Sequence, residues 1–589
     1  MAKLWRIQRH DGAQINALSQ AAGVPAAVAQ LLAARGLTGV EAIREFLDCK
    51  LTSLRDPALL GGVTEAAARL MSAVRDRRKI TVYGDYDVDG MTAAALLLQC
   101  LRMLGGEANF YVPRRLEEGY GLNDEALRQL AAAGTKVVVT VDCGISAVAE
   151  AAVAAELGLE LIITDHHEFA ATLPQAAAIV HPRLPGSNYP FAGLSGAGVA
   201  HKLAWELCRQ ADGAKKVSPR MRDYLMSALG LAALGTVADC VPLVDENRVL
   251  VQHGMKSIFE RPGEGLAALI RVAALAEKKS LDSEDVAFAL APRLNAAGRL
   301  GQAELGVELL TTTDPVRAQA LAEYVNGLNG DRQSLERSIY LTAHKQIVEK
   351  FDAENDSAFV LADVDWHPGV IGIVAGRLAE KFHRPVILIA LDRLGVKPGT
   401  GSCRSAPGLE LHKALAACTH HLVGHGGHAA AAGLKIEEKK VDDFRAEFCE
   451  FVAAEMKRPT ATGPELLIDA EMPLSTLTLE TLNQINRLGP FGQGNARPTF
   501  CAVGLTLDEP PKKIGGGQRH LSLKLSQYRN SIRAVSFGNA DWAEELEKHD
   551  GPIDVAFRPV INEFRGRRTV EMQVVDWRVS TPAEALGAK

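Results

Sequence analysis

What this 589-residue chain has little of narrows its class before any motif is read. It has no stretch of 18 or more continuous apolar residues. Its longest uncharged run, Ala414 to Leu434, is interrupted by four histidines and several glycines, so no membrane span is expected. The first ten residues, MAKLWRIQRH, are positively charged but have no apolar segment behind them, which argues against a signal peptide. The nine cysteines are sparse, no two closer than 15 residues, so there is no CxxC pair. That pattern excludes a zinc ribbon and a disulfide framework and fits reduced thiols in a cytoplasmic protein. Excess positive charge is also missing, with 65 Lys+Arg against 71 Asp+Glu and a net charge of −6. A nucleic-acid partner would therefore need a local basic groove. The rest is ordinary for a globular protein: 47% apolar and 23% charged residues, in a length that at roughly 150 residues per domain suggests about four domains.

Residues 1–60 are alanine-rich and helical in pattern. From Lys79 the texture changes to short β-branched runs that alternate with Ala/Leu-rich helices: KITVYGDYDVDG, KVVVTVDCG, LELIITDHHEF and AAAIVHP. Such alternation predicts βαβ crossovers and a parallel sheet, whose ligand crevice lies beyond the carboxyl ends of the strands. Leu321, Val325, Leu328, Leu335, Ile339, Ala343 and Ile347 keep helical spacing, so a long connecting helix is expected over about 316–350, with Gly327 and Gly330 as weak points. A second α/β unit follows (AFVLADV, GVIGIVAGRLAEKF, PVILIAL). After Lys457, five strand-like segments (PTFCAVGLTL, HLSLKLS, SIRAVSFG, IDVAFRPV, TVEMQVVDW) suggest a small β-barrel. The expected fold is thus α/β, with two α/β units joined by a long helix and a carboxy-terminal barrel. Its domains would be a helical extension at 1–60, a catalytic domain at 61–245, a helical region at 246–350, a second α/β unit at 351–457 and the barrel at 458–589.

Asp85, Asp87 and Asp89 alternate, so an extended backbone would turn their carboxylates the same way, and like charges this close require a cation. Calcium in an EF-hand is excluded, because the twelfth loop position is Leu96 rather than a glutamate and a strand precedes the loop. Two more strands end in Asp142 and in Asp165-His166-His167, and a fourth acidic segment, at Asp239, follows the apolar stretch LGLAALGTVA. A single strand-end aspartate is usually a helix N-cap, and Asp165 could be one. Four such segments in ordered βα units point instead to a shared crevice. Carboxylates suit magnesium and manganese and imidazoles suit softer ions, so the mixture favours Mn2+, with Mg2+ the alternative. The donors exceed what one ion needs. Two ions roughly 3.5–4 Å apart would use them and could serve phosphoryl transfer.

These motifs (GDYDVDG, VTVDCG, TDHH, GTVADC) resemble those of the DHH phosphoesterases. With APRLNAAGR at 291–299 and GHGGHAAAAG at 424–433, they resemble the RecJ-type branch of single-strand-specific DNA exonucleases. The likeness runs from Lys79 to Gly433, 355 of 589 residues. It implies a DHH domain, a smaller DHH-associated domain that binds substrate, and an oligonucleotide-binding (OB-like) barrel. It also implies 5′-to-3′ hydrolysis of single-stranded DNA to 5′-mononucleotides in recombination and repair, with a helicase and a single-strand-binding protein as partners and no membrane. Asp85, Asp87, Asp89, Asp142, His166, His167 and Asp239 are the expected metal ligands, and all but Asp85 are also expected to be catalytic. Some family members carry a histidine four residues before the middle acid of the first motif. Tyr83 stands there in this chain, which leaves Asp85 or that position to complete the shell.

The expected substrate contacts are Arg115 for the 5′ end and Arg293, Asn295 and Arg299 for backbone phosphates. Ser402, Arg404, His425 and His428 lie in glycine-rich surroundings that let backbone approach a phosphate, and a helix start is expected just beyond GHGGH. His367 could be a phosphate donor or a satisfied loop histidine. In the barrel, LGPFGQGNARPTF and five arginines against three acids between Arg558 and Arg578 suit base stacking beside backbone neutralisation, or a solvated face. Two rivals remain: a small-substrate DHH enzyme acting on pyrophosphate, nucleotides or short RNA, and a non-catalytic replication scaffold. The extra carboxy-terminal domain argues against the first and the retained acids against the second.

Overall fold

The computed structural model describes residues 3–580 apart from 116, 170, 214–215, 353–354, 457–464 and 565. The chain forms two units. One comprises Arg55–Val241 and Asp245–Thr460, the other Met1–Leu54, Pro242–Val244 and Ala461–Lys589. Among the described residues no single helix is long and apolar enough to cross a membrane.

The first unit begins with a five-stranded parallel sheet. Its order is Ala108–Tyr111, Ile80–Tyr83, Val137–Thr140, Glu160–Thr164 and Ala178–Val180. The strand earliest in sequence therefore lies between the second and the third, a 2-1-3-4-5 arrangement. The chain leaves this strand and the third toward opposite sides, which opens a crevice at their carboxyl ends. The three central strands are apolar and nearly all buried because helices cover both faces, while the edge strand Ala108–Tyr111 is half-buried. The helix Val88–Met103 is apolar around most of its circumference and correspondingly buried.

Helices between Gly196 and Thr311 complete this half, and the helix Pro315–Lys350 leads out of it. Its 36 residues extend about 54 Å at 1.5 Å per residue. Asp314 caps it through Val316 N at 2.9 Å, and Pro315 sits at the first helical position. Gly327 and Gly330 face open space, so they cost propensity without removing a contact.

The second sheet has the order Leu422–Gly427, Ala431–Ile436, Gly399–Arg404, Val386–Ala390 and Phe359–Asp363. Only its last pair is parallel. The expected helix start after GHGGH is absent. Those residues form a hairpin of Leu422–Gly427 and Ala431–Ile436, in which Ala432, Leu434 and Ile436 alternate inward.

The other unit holds the barrel. Phe500–Leu507, Ile553–Phe564, Arg567–Val579, Asn530–Ser536 and His520–Gln527 pair in that cyclic order, and the first also pairs with the last. The five strands read from sequence are therefore the five of the closed ring, as expected of an OB-like fold. The amino-terminal residues are not a separate extension. Leu31, Leu32 and Ile43 share a core with Phe500, Leu523 and Phe557, and the strand Leu4–Ile7 pairs with Glu465–Ile468.

Candidate metal centre

Every acid in the crevice is placed by backbone. Asp85 follows the end of the strand Ile80–Tyr83 and is buried against Gly90, where a Cβ would come within 2.6 Å of Asp85 N. Asp87 is the N-cap of the helix Val88–Met103, accepting from Gly90 N at 3.0 Å. Asp89, in the first turn, accepts from Gly196 N at 2.6 Å and Ala197 N at 3.0 Å, the opening amides of the helix Gly196–Asp212. Asp142 follows the strand Val137–Thr140 with φ at +63°, a conformation costing about 1–3 kcal/mol in a non-glycine residue, and such strain tends to gather at functional sites. A Cβ on Gly196 would lie 2.5 Å from Asp142 Oδ1, and one on Gly235 would lie 2.4 Å from Asp89 Oδ1, so both helices carry glycine where they meet the acids. Asp239 does not end a strand. It caps the carboxyl end of the helix Pro219–Ala238.

These side chains converge. Ligand atoms of Asp85, Asp87 and Asp142 lie within 4.8 Å of one another, as do those of Asp89, His166 and Asp239, and those of Asp142, His166 and His167. His166 Nε2 stands 3.0 Å from Asp142 Oδ1, 3.6 Å from Asp239 Oδ2 and 3.8 Å from Asp89 Oδ2. The 3.0 Å approach lacks hydrogen-bond geometry, so His166 Nε2, Asp142 Oδ1 and Asp85 Oδ1 are buried without a hydrogen-bond partner. Buried orphan atoms cost free energy unless a ligand satisfies them.

The protonation pattern follows from burial and crowding. Burial, then the neighbouring Asp87, pushes Asp89 up to about 7; burial, then Asp89, pushes Asp239 to about 8. Asp85 and Asp142 are driven well above the carboxylate range by the same causes. Burial and the charge of His167 hold His166 down at about 3, so it is a neutral imidazole with a free lone pair, as a metal ligand must be. Crowded carboxylates that must hold protons unless a cation replaces them, with a neutral imidazole among them, fit two divalent ions.

Asp165 is neither a helix cap nor a free ligand. It accepts from Ile145 N at 3.0 Å, His166 N at 2.7 Å and His167 N at 3.2 Å, and it faces His167 Nδ1 at 2.8 Å. Burial opposes its ionisation, but these bonds keep its carboxyl below the usual range; burial likewise opposes the His167 charge, and Asp165 lifts His167 to about 9. Asp165 thus orients His167, whose Nδ1 also stands 3.9 Å from Asp142 Oδ1. Sequence reasoning missed a second orienting group, Tyr120. Its hydroxyl donates to Asp142 O at 3.2 Å and lies 3.1 Å from His167 Nδ1. Gly119 and Gly121, at φ +87° and +83°, flank it and let the loop lay the exposed ring against His167, so the triplet Gly-Tyr-Gly was the available signal. Tyr83, by contrast, belongs to the apolar core and donates to Gly121 O at 3.0 Å.

A cluster of opposite charge adjoins the acids. Arg115 lies 4.9 Å over the ring of Tyr86, which meets Tyr120 edge-on at 6.4 Å, and Tyr120 in turn meets His167 at 5.6 Å. Burial, then the charges of Arg115, Arg332 and Arg404, lowers Arg299 to about 10. Arg404 is lowered by burial, with Arg115 adding to it. Arg332, on the connecting helix and also missed from sequence, is held by Glu336 at 2.7 Å. Arg404 donates to Ser402 Oγ at 3.1 Å, and both stand against Gly372 at the start of the helix Ile371–Phe382, where a Cβ would meet Ser402 Oγ at 2.8 Å. Half-buried guanidinia that repel one another beside a helix amino terminus are suited to an anion.

The remaining expected contacts fare differently. Arg293 donates to Asn326 Oδ1 at 2.9 Å and Ala289 O at 2.6 Å, which ties the helix Ala291–Arg299 to the connecting helix. Asn295 is half-buried on that helix. His367 Nδ1 accepts from Gly369 N at 3.1 Å. His425 and His428 are exposed on the hairpin, and His425 Nε2 lies 3.0 Å from the Thr419 hydroxyl. In the barrel unit, Phe491 is core and lies under Arg497 at 4.8 Å, while Arg578 covers Trp5 at 4.5 Å and donates to Asp554 at 3.1 Å. Those aromatic–arginine pairs are internal contacts rather than open stacking platforms.

Three family models match the chain: the DHH family N-terminal domain over residues 79–232, the DHHA1 domain over 355–454 and the RecJ OB domain over 468–576. The chain is 36% identical to the single-stranded-DNA-specific exonuclease RecJ of Bacillus subtilis, across 98% of this chain and 71% of that protein. It is 35% identical to that of Escherichia coli, across 94% and 95%. Its fold matches the crystal structure of Thermus thermophilus RecJ in complex with Mn2+, with a TM-score of 0.81 and 32% identity, covering 98% of this chain and 80% of that one. The structure of the same protein with Mg2+ matches at 0.76 and 30%, covering 98% and 79%. With the four acidic segments gathered at one crevice and all three domains present, the chain belongs to the RecJ family of DHH phosphoesterases.

Proposed function

We propose that this protein is a single-stranded-DNA-specific exonuclease. It hydrolyses phosphodiesters from the 5′ end with two divalent ions, manganese or magnesium, and releases 5′-mononucleotides. The observation that carries the reading is the adjacency, within one unit, of a crevice of buried unpartnered carboxylates and a cluster of mutually repelling arginines. One set calls for cations and the other for an anion, as a phosphodiester bridging metals and protein requires.

Asp85, Asp87 and Asp142 would hold one ion and Asp89, His166 and Asp239 the other, with His167 beside Asp142. Bound divalent ions supply Lewis-acid polarisation of the phosphate and a nucleophilic water at neutral pH. The protein's own groups do the rest. Asp165 and Tyr120 fix the ring of His167, which can hand a proton to the leaving oxygen. Arg115, Arg299 and Arg404, with Ser402 and the amides at Gly372, would seize the terminal phosphate and set the register of the scissile bond. His425 and His428 sit on an open glycine-rich hairpin suited to the strand's backbone. The barrel supports a long substrate over a dinucleotide, which disfavours the small-substrate reading.

The RecJ relatives are named for single-stranded-DNA-specific exonuclease activity, and that resemblance supplies the polarity, the role in recombination and repair, and a single-strand-binding protein and a helicase as partners. The nine widely spaced cysteines, with no CxxC pair, support a reducing cytoplasm. The deciding experiment incubates end-labelled single- and double-stranded DNA with Mn2+, Mg2+ or chelator. Mononucleotides should be released from the 5′ end of the single strand, only with metal. Equal attack on duplex, or turnover in chelator, would overturn the reading.

A further inference from the structure

Outside the catalytic crevice the substrate-binding half carries a second group of metal-ligating side chains, with different donors. The helix Leu411–Ala417 ends at Cys418, and a single tight turn, Thr419–His421, leads directly into the hairpin strand Leu422–Gly427. The turn closes through His421 N to Cys418 O at 3.1 Å and brings two adjacent imidazoles side by side, centroids 4.1 Å apart. Both point the same nitrogen at one oxygen of the helix Val441–Glu455: His421 Nε2 is 2.7 Å and His420 Nε2 3.0 Å from Glu447 Oε2. His421 is largely buried, Glu447 partly so, and His420 faces solvent.

We infer that His420, His421 and Glu447 form a binding site for one divalent transition-metal ion of the zinc, cobalt or nickel kind. The chemistry separates it from the catalytic centre. Two imidazoles and one carboxylate favour zinc and its neighbours, whereas the carboxylate-rich crevice suits manganese and magnesium. The geometry also fits. Donors on a tetrahedral ion with bonds of 2.0–2.2 Å stand roughly 3.4 Å apart, so the free end of Glu447 need withdraw by only a few tenths of an ångström to admit the ion. Solvent exposure of His420 gives an entry path and leaves a fourth position for water.

The location gives the site a consequence. Thr419, the first residue of the same turn, holds its hydroxyl 3.0 Å from His425 Nε2. An ion fastening His420 and His421 to the helix Val441–Glu455 fixes the turn from which the exposed hairpin starts, and with it His425. This consequence rests on the substrate role proposed above for His425; the metal site itself does not.

The test therefore reads metal binding rather than hydrolysis. The full-length protein and its His420→Ala/His421→Ala variant are dialysed to equilibrium against micromolar zinc chloride, and bound zinc is counted per chain. Zinc held by the catalytic crevice is common to both, so the variant should bind one ion fewer. Cobalt chloride should give tetrahedral absorption bands that weaken correspondingly, and Glu447→Gln should weaken binding at the same site. Far-ultraviolet circular dichroism and manganese-dependent hydrolysis, measured without zinc, should match the parent and show that the variant is folded. Equal zinc counts in parent and variant would overturn the proposal, whatever the hydrolysis assay gives.

Discussion

Two like-charged clusters share one unit of this protein, and they bear their crowding in opposite ways. In the crevice, carboxylates relieve repulsion by taking up protons, with Asp89 at about 7 and Asp239 at about 8. A few residues away, Arg299 falls to about 10 and stays charged at every physiological pH. The acidic cluster is therefore adjustable: protons and metal ions compete for it. The basic cluster keeps its charge, with Glu336 offsetting Arg332 within it. A cluster whose charge follows pH and metal thus adjoins one whose charge does not.

The largest effect expected from breaking this contrast lies on the acidic side. Asp142→Ala should lower manganese-dependent hydrolysis by on the order of 10³-fold or more, because it removes a donor of the Asp85, Asp87 and Asp142 group that also adjoins His166 and His167. A melting curve should show the variant folded, and no less stable than the metal-free parent, since a buried carboxylate crowded by other acids has been removed. Arg299→Ala or Arg404→Ala should act on binding instead. A charged hydrogen bond to phosphate contributes about 1.5–3 kcal/mol, so KM for 5′-phosphorylated single strands should rise about 10–100-fold while kcat changes less. The same variants should discriminate poorly between phosphorylated and unphosphorylated ends.

Tyr120→Phe sharpens the comparison because its hydroxyl serves the acidic side alone. Loss of an orienting partner commonly costs 10–100-fold at a metal site, and Asp165 remains, so about a tenfold fall in kcat or in manganese affinity is expected with KM for DNA unchanged. The smallest effect is on stability. In the metal-free protein Asp89, Asp239 and His167, at about 7, 8 and 9, keep protons that the unfolded chain gives up at lower pH. The folded state thus binds more protons between pH 6.5 and 9, so stability falls as pH rises through that window. His166, held at about 3, acts with the opposite sign only below 6.5. Thermal midpoints should therefore drop by a few degrees from pH 6.5 to 9 without metal and flatten with saturating Mn2+; a midpoint that rises over that range would refute the protonation pattern.

The sequence disclosed whatever is written in local patterns. The parallel strands announce themselves by β-branched runs, the crevice by acids at their ends, and the barrel by five short strands that prove to be its closed ring. What it hid depends on distant contacts. The union of residues 1–54 with the barrel rests on Leu4–Ile7 pairing with Glu465–Ile468, some 460 residues away, and leaves no local signature. The alanine run after GHGGH reads as helix by propensity, but pairing with Gly399–Arg404 makes it a strand. Arg293 carries the right residue type for a phosphate, and only the position of Asn326 on the facing helix shows that its Nε is already engaged. Asp239 was found through its motif although it ends a helix, because the crevice gathers side chains without regard to the element that bears them.

The most direct test of the central claim is anomalous diffraction from a crystal soaked in manganese chloride. Two peaks are predicted, one among Asp85, Asp87 and Asp142 and the other among Asp89, His166 and Asp239. A crevice that stays empty, or manganese bound away from these side chains, would contradict the account.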